Sequence, residues 1–141
     1  MSKILKKESV LTGLEPESVE ASIRRAGKLL LDGGYIEDGY IEGMIARDKT
    51  LTVAIGNHIA IPHGEIAYKK YVKHTGICVM TYPDGIPWGD ELVKIVIGIA
   101  ADGDDHISIL ENIVEVLEDE EDVINVATNA DADAIVNIFT A

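Results

Sequence analysis

One cysteine, few basic residues and no long apolar run are what this 141-residue sequence has least of. The lone thiol, Cys78, can form neither an internal disulfide nor a multi-cysteine metal site, which agrees with a reducing compartment. It lies in the apolar run TGICVMTY, where a buried structural thiol is expected. No stretch approaches the roughly 20 apolar residues that a membrane helix requires, and the opening MSKILKKESV is too short and too polar for a secretory signal. A cytoplasmic location without direct membrane insertion is therefore expected. Only 12 Lys and Arg stand against 25 Asp and Glu, a formal net charge of −13. That balance repels nucleic acid and anionic membrane surfaces, so partners should be basic or apolar where they dock. Nothing reads as a linker, a repeat or a low-complexity tract, and the length suits one core, so residues 1–141 are expected to form a single domain.

What is present is a set of short, well-punctuated elements. The segment KESVLTG alternates briefly and reads as a first strand. Pro16 follows Glu15 where a helix can begin; Val19, Ile23, Ala26 and Leu30 then recur at helical spacing until Gly33 and Gly34. Tyr40, Ile41, Met44 and Ile45 mark a second helix, with Arg47, Asp48 and Lys49 near its end. LTVAI and HIAIP are short β-branched stretches separated by Gly56 and Asn57. After Pro62 the segment GEIAYKKYV has weak helical character. GICVMTY and VKIVIGIAA read as central strands, and PDGIPWG between them reads as a loop or hairpin. Ile107, Leu110, Val114 and Leu117 then mark an amphipathic helix, and EDVINVA and DADAIVNIF two shorter ones. The order implies an α/β fold, a three-layer α/β/α sandwich around a mixed parallel/antiparallel sheet.

Four histidines are available, and one has neighbours that suggest a reactive presentation. In Ile61-Pro62-His63-Gly64 the proline stops strand pairing and the glycine permits a conformation that other residues resist, so His63 should project from a strand end. If a helix begins just after it, the amides of Gly64 and Glu65 would favour an anion at the ring. A neutral imidazole is a competent phosphoryl acceptor; the plain alternative is a histidine in a turn. His106, behind Asp104 and Asp105 at a helix start, is placed to hydrogen-bond an oxyanion, or else is a solvated helix-start residue. Arg47 can offset phosphoryl charge, or else is an ordinary helix C-terminal cation.

The stretch GNHIAIPHG, residues 56–64, resembles the phosphorylation-site signature of the fructose/mannitol class of enzyme IIA in the phosphoenolpyruvate-dependent sugar phosphotransferase system. The resemblance continues through YIEGMIARDK, TGICVMTYPDGIPWG and VKIVIGIAADGDDHISIL and so covers nearly the whole chain; GGYI, YPDGIPWG and IGIAA before Asp-His-Ile are similar to the mannitol branch. It implies that His63 is the phosphoacceptor, with His106 and Arg47 beside it in the active site. It also implies a phosphotransferase taking its phosphoryl group from the carrier HPr and passing it to a cysteine of a IIB unit, with the IIC unit moving the sugar across the membrane. Cys78, inside an apolar strand, does not suit a phosphocysteine, so the chain is expected to be the IIA unit alone or an excised domain. This reading requires neither cofactor nor metal.

His58 stands where that family usually has a small or polar residue. On a straight strand it would face away from His63, and a surface or structural role is expected. His74 reads as solvated, and Trp88 as a loop anchor or part of a docking surface. Three rival readings share these residues. One is a IIA-like regulator responding to phosphorylation state, and another a fructose-specific IIA. The third is a metal-dependent hydrolase using His63, His106 and aspartates 102, 104 and 105, which lacks an H-E-x-x-H pattern or comparable fixed ligand spacing.

Overall fold

A computed structural model describes residues 4–101 and 105–140. The two apolar runs become the longest strands, β4 (Gly76–Trp88) and β5 (Glu91–Ala100), paired antiparallel with Ile77 opposite Ile99 and Val79 opposite Ile97. A short β1 (Val10–Leu11) adds parallel to β4, β3 (Ile59–Ala60) adds parallel to β5, and β2 (Ala54–Gly56) pairs antiparallel with β3. The five-stranded order is β1-β4-β5-β3-β2, so the sheet is mixed as the sequence implied.

Successive residues of a strand face opposite sides, and both sides of β4 and β5 are apolar because both are covered. Cys78, Met80, Tyr82 and Val96 pack against Ile23, Ala26 and Leu30 of α1 (Val19–Asp32) and Met44 of α2 (Tyr40–Thr50). Ile77, Val79, Ile95, Ile97 and Ile99 pack against α3 (Asp105–Val116), α4 (Glu120–Asn129) and α5 (Ala132–Thr140) through Ile109, Ile113, Val123, Ile135 and Phe139. The result is an α/β fold with helices on both faces of the sheet.

Several local readings change. α1 begins at Val19 rather than at Pro16, because Ser18 caps it by accepting the Ala21 amide at 3.1 Å. KESVLTG contributes a 3-10 turn, Lys7–Ser9, and only two strand residues. Of the two readings of PDGIPWG the hairpin holds and the loop does not: β4 runs through it to Trp88, with a register shift between Thr81 and Ile86, and turns at Gly89 and Asp90 into antiparallel β5. Two prolines are tolerated there because β1 pairs β4 only at Val79 and Met80, leaving the later part of that edge free. Trp88 is buried and donates its indole N–H to Asp48 Oδ1 at 2.9 Å, which makes it an anchor rather than a docking surface. Cys78 is fully buried as expected; it donates to the Ala26 carbonyl at 3.3 Å, and burial pushes its thiol pKa up to about 12.

Candidate functional site

β3 and β5 are parallel neighbours, and the chain leaves each at its C-terminal end toward the same side. His63 lies just beyond β3, forming a bridge with Ile99, and His106 lies in the first turn of α3 after β5. Carboxyl ends of adjacent strands in open α/β sheets are where ligand crevices form. The two imidazoles meet edge to face, with ring centroids 4.9 Å apart and planes at 67°. Two adjoining hollows of about 260 and 590 Å³ share His63, Gly64, Glu65, Ile66 and His106 in their walls, and the larger adds Arg47 and Thr50. The three residues singled out in the sequence thus surround one cavity, although 59 positions separate the first from the last.

The state of each ring follows from its neighbours. His63 Nδ1 lies 2.7 Å from the Ile61 carbonyl, a group that only accepts, so Nδ1 carries the proton and Nε2 carries the lone pair. Burial lowers the pKa of His63; the nearby His106 and Arg47 push the same way, while the Ile61 hydrogen bond opposes them. His106 is lowered as well, by burial first and by Arg47 second. Both rings are therefore neutral near pH 7. Among the described residues His106 Nε2 is buried without a hydrogen-bond partner, an expensive condition for a polar atom. Arg47 is presented from the last turn of α2, its guanidinium donating to the Leu51 carbonyl at 2.5 Å. Asp48 holds the next stretch by accepting the Val53 amide at 3.1 Å together with the Trp88 indole.

Two expectations about Gly64 do not hold. No helix starts directly after His63; the chain instead enters a 3-10 segment at Ile66–Tyr71. The amides of Gly64 and Glu65 are taken, the first by the Tyr40 hydroxyl at 2.8 Å and the second by the Gly43 carbonyl at 3.4 Å. Nor does Gly64 have a positive φ. Its role is space: a Cβ at this position would lie 2.5 Å from Tyr40 Cε1.

The remaining candidates lie elsewhere. His58 is in the β2–β3 turn with φ 65°, not on a straight strand, and ties that turn to the Leu92 carbonyl and to Glu120 Oε2, each at 2.8 Å. His74 is exposed. Asp105 accepts from the Thr75 hydroxyl at 2.7 Å, while aspartates 102 and 104 lie outside the described residues. Tyr40 was legible only as an apolar helix position; the available signal was that a buried tyrosine needs a partner for its hydroxyl.

A lone-pair imidazole nitrogen, a second imidazole with an unsatisfied nitrogen and a nearby guanidinium equip this α/β sandwich for group transfer through histidine. The family model described as "Phosphoenolpyruvate-dependent sugar phosphotransferase system, EIIA 2" matches residues 3–141. The mannitol-specific phosphotransferase enzyme IIA component of Geobacillus stearothermophilus is 41% identical over 137 residues, covering 96% of this chain and 94% of that one. Among solved structures, IIA mannitol from Escherichia coli superposes with a TM-score of 0.88 at 32% identity, covering 96% and 98% of the two chains. A complex of enzyme IIA mannitol and phosphorylated enzyme IIB mannitol from the same organism gives 0.88 at 31%, covering 96% and 97%. The chain belongs to the EIIA type 2 family and is a phosphotransferase-system EIIA component.

Proposed function

We propose that this protein is the phosphocarrier of a mannitol-type system, taking a phosphoryl group from phosphorylated HPr on His63 Nε2 and passing it to the cysteine of a mannitol IIB unit. The observation that carries this is the tautomer of His63: Nδ1–H is committed to Ile61, so the nucleophilic lone pair is on Nε2 of a ring lining the cavity. As the Nε2–phosphorus bond forms, the nitrogen–phosphorus bond of the donor breaks and its electron pair returns to the donor ring. In the second step a thiolate of the partner attacks phosphorus and the electron pair returns to Nε2. While phosphorylated the His63 ring carries more positive charge, and the Ile61 carbonyl on Nδ1–H stabilises it.

His106 and Arg47 act as supporting groups. The unsatisfied His106 Nε2 gains a partner when it donates to a phosphoryl oxygen, and the Arg47 guanidinium offsets the charge on the oxygens. Exposed Ile66, on the cavity wall, and Ile107, next to His106, give the site an apolar rim on which two partners can dock in turn. The mannitol assignment is supported by the names of the relatives at 41% and 32% identity and by the GGYI, YPDGIPWG and IGIAA segments. Among the described residues no helix is long and apolar enough to cross a membrane, which suits a cytoplasmic carrier serving a membrane-embedded IIC unit. Incubation with phosphorylated HPr should label the chain once, and His63→Ala should abolish the label. Full labelling of that variant would remove His63 from the role.

A further inference from the structure

Tyr40 opens α2, is 4% exposed, and places its hydroxyl against the segment that carries His63. Burial raises the pKa of the phenol, so it keeps its proton and both donates and accepts. It donates to the Ile99 carbonyl at 3.0 Å and accepts from the Gly64 amide at 2.8 Å. Ile99 also donates its own amide to the Pro62 carbonyl at 2.8 Å. In a parallel ladder a residue bonds the two residues flanking its partner, here the Pro62 carbonyl and the Gly64 amide on either side of His63. The first bond is direct, and the tyrosine hydroxyl bridges the groups of the second. The Tyr40 ring also lies against Gly64, leaving no room for a Cβ.

We propose that Tyr40 is a positioning residue for phosphoryl transfer: its hydroxyl, bridging the Gly64 amide and the Ile99 carbonyl, sets the backbone on the C-terminal side of His63 and so the direction of Nε2. The proposal rests on His63 being the phosphoryl acceptor. The N-terminal side of His63 is held by Pro62 on Ile99, and by Ile61, whose amide bonds the Val53 carbonyl at 3.0 Å. On the C-terminal side, removal of the hydroxyl leaves a buried carbonyl and an amide without this bridge, and the Gly64 peptide is free to turn. In-line attack on phosphorus depends on sub-ångström placement, so a small turn of the ring lowers the rate without altering the rim that binds the partner.

The test is rapid-quench transfer from phosphorylated HPr to the full chain, comparing wild type with His63→Ala, Tyr40→Phe and Gly64→Ala, alongside 15N spectra of the His63 ring. Tyr40→Phe keeps the ring and its packing; we expect the rate at saturating donor to fall on the order of tenfold and half-saturation to stay within about twofold. The ring nitrogens should report a mixture of tautomers in place of Nδ1–H alone. A rate loss below about threefold, or a loss carried by half-saturation, would overturn the proposal. If Tyr40→Phe does not fold, Gly64→Ala carries the same test, because its methyl displaces the ring while keeping the hydroxyl. A wild type that takes no label, or a His63→Ala that keeps it, defeats the reading of His63 instead, so the two failures are distinct.

Discussion

At the scale of single residues, the site depends on protonation more than on charge. His63 and His106 sit beside Arg47 and are both shifted toward the neutral form, chiefly by burial. Because the His63 pKa lies below the ordinary value of about 6.5, the ring proposed as the nucleophile stays unprotonated to lower pH than a free histidine would. The rate of phosphoryl acceptance should therefore be flat through neutral pH, and its acid limb should fall below pH ~6.5; a pH–rate profile that drops at or above that value would contradict the assignment. His106→Ala should slow transfer with the fold intact, because the role proposed for the lost nitrogen is to donate to the phosphoryl group rather than to accept it. Arg47→Lys should also slow it on the order of tenfold, since the charge remains but the planar fork is lost. An unchanged rate in single-turnover transfer would remove Arg47 from the site.

At the scale of elements, three short-range fits hold the site residues in place. The β2–β3 turn has consecutive positive φ values at Gly56, Asn57 and His58. It uses them to reach the α3–α4 junction: Asn57 donates to the Leu117 and Glu118 carbonyls at 3.0 and 3.2 Å, and His58 meets Glu120. The strand leading to His63 is thereby tied to the far end of α3, the helix whose first turn holds His106. On the opposite face, Asp48 joins the end of α2, which carries Arg47, to the end of β4 through Trp88. The third fit sits in the middle of the sheet, where a Cβ on Gly98 would lie 2.7 Å from Cys78 Sγ and 3.2 Å from Ala26 Cβ. Gly98→Ala should cost ~1–3 kcal/mol by overpacking between β5 and α1. In urea unfolding, the double variant with Cys78→Ala should lose less than the sum of the two singles. Additive losses would mean that the two positions do not share this space.

At the scale of the whole molecule, the same half-buried histidines link the site to stability. Their folded pKa values lie below the unfolded ones, so the unfolded chain binds more protons as acid is added. Stability is intact above pH ~6.5 and declines as pH falls through that value toward the folded pKa values. Glu17 adds a second decline at lower pH. Hydrogen bonds from Arg25, at 2.8 and 3.0 Å, and from Tyr82 hold its carboxyl below the ordinary carboxylate value, with burial opposing. Denaturant midpoints should therefore fall in two stages between pH 8 and 3, and the double variant His63→Ala with His106→Ala should lose the upper stage. A midpoint independent of pH from 8 to 5 in the parent chain would show that folding does not favour the neutral form of the two rings.

Much of this protein is legible along the chain. Both faces of GICVMTY and VKIVIGIAA are apolar, which implies a sheet covered on both sides, and the 3.6-residue spacing of Val19, Ile23, Ala26 and Leu30 implies the helix that covers one of them. Pro62-His63-Gly64 marks the strand end at which the His63 ring lines the cavity. Those are consequences of near neighbours, and near neighbours are what a sequence displays. The tertiary structure decided what depends on distant partners. Pro83 and Pro87 lie in a strand because β1 is too short to need their edge. The Gly64 amide is bound to Tyr40, 24 positions away, rather than left for an anion. His63 and His106 are 4.9 Å apart because β3 and β5 are parallel neighbours, a pairing set by the packing of the whole sheet and not by any local run of residues.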